Sequence, residues 1–176
     1  MLTPPTLVSY GQGLRAPDAP QIPDVLQVPK GSKLILHTYA RGVQIYTCMQ
    51  VPTDTARYIW TFVEPRASLY SKDDYRQQIG KHYFSTDNYP VWESIDGTIL
   101  TGAKLQQANA PDSGAIPWLL LKATNATGFG PLRAAAYIQR INTKGGKAPA
   151  AGADRDHKGQ FINVAYTAEY LFYNGD

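Results

Sequence analysis

Ile162-Asn163-Val164-Ala165-Tyr166-Thr167-Ala168-Glu169-Tyr170-Leu171-Phe172 alternates with a period of two. Ile162, Val164, Tyr166, Ala168, Tyr170 and Phe172 are apolar or aromatic, while Asn163, Thr167 and Glu169 point the other way. Successive side chains of a strand face opposite sides, so this stretch reads as a strand with one face in a core and the other toward water or a ligand. Upstream, Ala115-Ile116-Pro117-Trp118-Leu119-Leu120-Leu121-Lys122-Ala123 is an apolar run bounded by Ser113-Gly114 and Asn125. It is too short to span a bilayer and reads as a strand buried on both faces. Pro117 offers no ladder donor, which predicts that the strand starts at Trp118.

The same alternation recurs along the chain. Leu34, Leu36 and Thr38 alternate with Ile35, His37 and Tyr39, and residues 43–49 alternate again, so Arg41-Gly42 reads as the turn of a hairpin. Tyr58, Trp60 and Phe62 form one aromatic face of a strand closed by Glu64-Pro65. Asp96-Gly97, between residues 92–95 and 98–101, has the composition of a two-residue type I′ turn. Residues 124–130 read as a loop. Leu132, Ala134, Ala136 and Ile138 then line one apolar face that Arg140 continues, and residues 147–158 form a long loop of small and polar residues. Nine or ten short strands without an amphipathic helix of ordinary length predict an all-β, single-domain antiparallel β-sandwich or partly closed β-barrel. Residues 1–30 carry Pro4, Pro5, Pro17, Pro20, Pro23 and Pro29 and read as an extended Pro-rich arm ahead of a single β domain over residues 31–176.

With 43% hydrophobic residues, the 176-residue chain has enough apolar material for one substantial core. A net charge of +3 without any run of Lys or Arg argues against nucleic acid, whose phosphates need clustered cations. No apolar h-region follows Met1, which leaves a cytosolic protein or an exported one, secreted or periplasmic, whose signal has been removed. No membrane insertion is expected. Gly11-Gln12-Gly13-Leu14-Arg15-Ala16 has the letters of a dinucleotide fingerprint, but Pro17 and Pro20 oppose the helix that would have to open there.

His37, His82 and His157 lack the close spacing of a preformed metal edge, and Cys48 stands alone, so neither metal nor cofactor is expected. His82 precedes the loop at residues 85–90 and the Trp92-Glu93 strand. It reads either as a general base meeting Glu93 or Asp96 across a cleft, or as a histidine tied into a local hydrogen-bond network. Asp96 has its simpler reading as a turn residue and Glu93 as a solvent-facing strand residue. Arg140, on an apolar strand face, must find an anion, carbonyls or water. A structural role would pair it with Glu93, Asp96 or Glu169, and a functional role would have it hold a carboxylate or sugar hydroxyl at a barrel mouth. Trp92, Trp118, Tyr166 and Tyr170 read as core or as a stacking surface for sugars. Asn125-Ala126-Thr127 has the acceptor pattern for N-glycosylation in a secreted eukaryotic protein.

Several stretches together resemble a known family. They are Gly42-Val43-Gln44-Ile45-Tyr46-Thr47-Cys48, Ile79-Gly80-Lys81-His82, Ile116-Pro117-Trp118-Leu119-Leu120-Leu121, Gln139-Arg140-Ile141-Asn142-Thr143 and Val164-Ala165-Tyr166-Thr167-Ala168-Glu169-Tyr170. From about Pro23 to Tyr173 the chain resembles the mostly secreted bacterial and fungal proteins grouped as domain of unknown function 3455. The resemblance implies export. It also implies a cysteine shortly after Gly145-Gly146 as a partner for Cys48, but Ala153 stands where that cysteine is expected. A malate dehydrogenase label carried by some relatives conflicts with the lack of a βαβ pattern.

Three functions remain open. The first is an exported β-domain that binds a small polar ligand or glycan in a cleft lined by His82, Trp92, Glu93, Arg140 and the loop at residues 142–147, with Trp92, Arg140, Asn142, Thr143, Tyr166 and Tyr170 as the candidate ligand contacts. The second is a cofactor-free hydrolase, lyase or isomerase with His82 and Glu93 or Asp96 as acid and base and Arg140 as a charge clamp. The third is a structural or cell-surface interaction module. The first two require His82 and Arg140 to share one concave site, and the enzyme also needs a carboxylate within reach of His82.

Overall fold

A computed structural model describes residues 21–175. Its strands are β1 (Leu34–Val51), β2 (Asp54–Tyr70), β3 (Gln78–Phe84), β4 (Pro90–Ser94), β5 (Ile99–Ala108), β6 (Trp118–Thr127), β7 (Ala135–Gly145) and β8 (Phe161–Asn174). Each pairs antiparallel with the next, and β8 pairs with β1, so a single all-β sheet closes into a barrel. Helical turns among the described residues are limited to two short 3-10 segments, Asp24–Leu26 and Pro131–Ala134.

The strands are fewer and longer than the alternation suggested. Arg41-Gly42 is no turn: β1 runs straight through it and pairs with Ser68-Ala67 of β2 on one side and Thr167-Tyr166 of β8 on the other. Glycine is needed at position 42 for proximity, because a Cβ there would land on the Arg66 carbonyl oxygen and 2.7 Å from the Ala67 Cβ. Nor does Glu64-Pro65 end β2. Pro65 pairs with Gln44 of β1, while β3 begins to pair with β2 only at Ala67, so no neighbour on the second side calls for its missing donor. The Asp96-Gly97 hairpin forms, but as a three-residue loop: Gly97 N donates to Ser94 O, Ser94 N donates to Thr98 O, and only Gly97 has a positive φ, at 83°. Residues 124–127 belong to β6 rather than to a loop, and Leu132 and Ala134 lie in a 3-10 turn ahead of β7.

Inward-pointing residues of all the strands except β2's distal half meet in one core that includes Ala40, Leu69, Trp92, Leu100, Leu121, Ile138, Tyr170 and Phe172. Leu132 seals one end of the barrel, and Gly130 N donates to Thr98 Oγ1 beside it at 2.7 Å. The run around Leu119 is buried on both faces as expected. Leu121 is inside the barrel, whereas Trp118 and Leu120 lie outside it and pack with Ile141 beneath Leu26. Leu26 is fully buried, which is worth roughly 1.5–3 kcal/mol, and its carbonyl accepts from Gln139 Nε2 at 2.7 Å. The described part of the Pro-rich arm therefore lies on the domain; residues 11–16 fall outside the described residues.

Candidate functional site

Side-chain alternation brings residues from distant strands together at the end opposite Leu132. His82 of β3 pairs with Trp92 of β4, and Arg140 of β7 pairs with Tyr170 of β8, with all four side chains inside the ring. Together they line a cavity of about 550 Å³, a volume typical of small-molecule sites. Phe62, Phe84, Leu119 and Leu121 supply apolar walls, and Tyr89, Lys104 and Gln107 also line the cavity. Two register shifts in β5, at Thr101/Gly102 and Lys104/Gln106, change which face its residues present, so that Gly102, Ala103 and Lys104 all reach the lining.

The His82 ring is packed between Trp92, stacked at 4.8 Å between centroids, and Tyr170 at 5.0 Å. Its Nδ1 is 2.8 Å from Val91 O. A carbonyl can only accept, so Nδ1 carries the proton and Nε2 is left as an acceptor. Burial drives the imidazole pKa down from 6.5 to about 3; the Val91 bond offsets part of this and the Arg140 charge adds to it. His82 is thus a neutral, weakly basic ring at physiological pH.

Arg140 forms none of the three structural pairings expected for it, with Glu93, Asp96 or Glu169. Nε and Nη2 donate to the same acceptor, the Pro117 carbonyl, at 3.1 and 2.8 Å. Among the described residues no carboxylate forms an ion pair with it, and none of the residues lining the cavity is acidic. Glu169 points out of the barrel, where it accepts from His37 Nε2 and Asn142 Nδ2, each at 2.8 Å. Burial opposes the ionisation of Glu169, but these two bonds outweigh it and hold its pKa below the usual value.

Among the described residues Gln44 Nε2, Trp92 Nε1 and Tyr170 Oη of the lining, and Tyr166 Oη beside it, are buried without a well-formed hydrogen bond, although Tyr166 Oη lies close to both Tyr170 and Gln44. Burial raises the pKa of both tyrosines, so their hydroxyls stay protonated. Unsatisfied buried polar groups are costly, and such a concentration in one place is unusual for a core.

The residues anticipated for the site divide between two faces of the sheet. Trp92, Arg140 and Tyr170 line the cavity with His82, and Tyr166 is buried next to it, against Gln44 and Ile116. Glu93 is excluded because it follows inward-facing Trp92 directly. It lies outside, accepting from Tyr83 Oη at 2.7 Å and paired with Lys81 at 3.2 Å, and the Tyr83 bond lowers its pKa. Asp96 belongs to the β4–β5 loop, where it accepts from Ser94 Oγ and Thr98 N. No carboxylate therefore reaches His82 among the described residues, and the expected acid-base pair does not form. Asn142 and Thr143 also lie elsewhere: both border an outer hollow with Glu169, and Thr143 Oγ1 donates to Ile116 O. His37 and His157 have separate partners, Glu169 and Asp154, and no described group of three or more His, Cys, Asp or Glu could hold a metal ion. Gln44, Tyr46, Phe62 and Phe84 of the lining were not anticipated. Gln44 was detectable as a polar residue in phase with Leu36 and Thr38, had Gly42 not been taken for a turn.

Over residues 29–174 the sequence matches the family described as protein of unknown function (DUF3455). The chain belongs to this family. Neither a curated protein nor a solved structure matches it. The matched region contains all eight strands and the entire cavity lining, so the site is part of the DUF3455 domain itself. In this DUF3455 chain Cys48 is buried and free, and its Sγ is 3.4 Å from the carbonyl oxygen of Asp154. The neighbouring position is Ala153, where the family resemblance led us to expect a second cysteine.

Proposed function

We propose that this protein binds a small ligand inside the open end of its barrel and performs no reaction on it. The observation that carries this reading is the convergence on one cavity, walled by apolar side chains, of a guanidinium without an ion-pair partner among the described residues and of three buried polar atoms without a well-formed hydrogen bond, on Gln44, Trp92 and Tyr170. A cavity of that size and lining suits an amphipathic molecule better than a glycan, because Trp92 and Tyr170 are buried in the wall rather than displayed as a stacking platform. Against the hydrolase, lyase or isomerase alternative, His82 has no carboxylate partner and a pKa far below neutrality. The reading includes export, on the family resemblance alone, and fractionation of the source cells checks that part.

The binding reading is tested with a neutral, environment-sensitive dye such as N-phenylnaphthylamine. We expect saturable fluorescence enhancement with the wild-type protein and its marked weakening in Leu119→Trp, which puts a bulkier side chain into the cavity wall. Dye binding that persists unchanged in a folded Leu119→Trp protein, or no saturable binding to the wild type, would overturn it.

A further inference from the structure

We infer that the ligand is an amphipathic carboxylate whose head group is clamped by Arg140. This deepens the binding reading and rests on it. The two hydrogen bonds to Pro117 O use Nε and one proton of Nη2, and they fix the plane of the guanidinium. Both protons of Nη1 and the second proton of Nη2 form the terminal fork that takes a carboxylate bidentately; among the described residues the Tyr170 phenol approaches the guanidinium, and being neutral it leaves the charge unmatched.

Charge and hydrogen-bond inventory select the same chemistry. Among the described residues Trp92 Nε1 is a pure donor without a partner, Gln44 Nε2 is a donor with only the Tyr166 hydroxyl close to it, and the hydroxyl of Tyr170 can turn to donate. Against these donors and the guanidinium charge the lining offers only neutral side-chain acceptors, among them His82 Nε2 and the amide oxygens of Gln44, Asn88 and Gln107, and no acidic side chain. A site so furnished favours an acceptor-rich anion over a neutral polyol, which brings as many donors as acceptors. The anion should carry a single charge. A phosphate dianion would call for a second buried cation, whereas Lys104, the other cation of the lining, is exposed and donates to Gln107 Oε1 at 3.1 Å. Phe62, Phe84 and Leu119 then cover the apolar body.

Decanoate and decanol, which share one alkyl chain, separate the head group from the cavity. Calorimetric titration of the full chain should show decanoate binding at least about tenfold more tightly than decanol, as a charge-assisted bidentate contact requires. Arg140→Met should abolish that preference by weakening decanoate far more than decanol, and Arg140→Lys should retain part of it. Equal affinity of the two probes for the wild type, or an undiminished preference in Arg140→Met, would overturn the carboxylate clamp and leave the cavity reading standing. Displacement of decanoate by inorganic phosphate more readily than by acetate would also overturn it, in favour of a phosphate head. Failure of both probes to bind overturns the clamp, and the dye experiment with Leu119→Trp then decides separately whether the cavity binds anything.

Discussion

Arg140 stands opposite Tyr170 in the β7–β8 ladder, and both of its hydrogen bonds end on a single carbonyl oxygen, that of Pro117. The guanidinium is thereby oriented without being neutralised. An uncompensated, partly buried charge lowers stability, and a well-packed apolar residue in its place is often neutral or stabilising.

Arg140→Met should accordingly leave the ligand-free protein as stable as the wild type or raise its stability by about 1 kcal/mol or more. Urea denaturation of both proteins measures this. A loss of several kcal/mol would mean that Arg140 is held for the fold rather than for an occupant.

His82 should make the fold acid-sensitive. Its folded pKa of about 3 lies below its ordinary 6.5, so the unfolded chain binds more protons between those values and stability falls as pH drops through that window. The loss should approach roughly 1.4 kcal/mol per pH unit below 6.5 while the folded ring stays neutral. His82→Asn, which can keep a donor for Val91 O, should be less stable at pH 7.5 and flatter between pH 6.5 and 4. Denaturant midpoints across that range give the slopes, and an unchanged slope in the variant would remove His82 as their source.

Gly42→Ala should be among the most damaging single-methyl additions in the chain. The added carbon collides with the backbone of β2 at Arg66 and Ala67, and neither can move without parting β1 from β2. We expect a loss of about 3 kcal/mol or an insoluble product, against little effect of alanine at Gly114, which is exposed and whose added carbon would meet only the Asp112 side chain, at 3.3 Å.

Ala153→Cys should oxidise spontaneously with Cys48, because Cys48 Sγ already touches the carbonyl of residue 154. Thiol titration should fall from one free thiol in the wild type to none in the variant. The long loop closed by that bond should raise stability by about 2–4 kcal/mol, provided the bridge forms without strain. A variant with two reactive thiols would show that the 147–158 loop does not hold position 153 close to β1.

How far the sequence could be read follows from the range of the interactions involved. Alternation in Tyr166, Ala168, Tyr170 and Phe172 is a local property of one strand, and it identified the inward face of β8 correctly. The start of β6 at Trp118 was equally local, since it turned on the backbone chemistry of Pro117. Gly42 shows the limit: a glycine required by a neighbouring strand cannot be told from a glycine required by a turn unless the neighbour is known. Glu93 and Arg140 show it at the site. Each is a charged residue in a strand, and only the closed ring reveals that one lies outside with Lys81 and Tyr83 while the other lies inside with no counter-charge.

The ring closes where β1 meets β8, through pairs such as Leu36 with Phe172 and Gly42 with Tyr166. These contacts span most of the chain, so the barrel has a high contact order and should fold slowly, paying the loop-closure entropy before the final ladder repays it. Until β8 docks, the sheet has two open edges, and Tyr170 has not yet met Arg140 or His82. The ligand cavity therefore exists only once the ring has closed, and an occupant that binds only the closed ring would pull folding to completion.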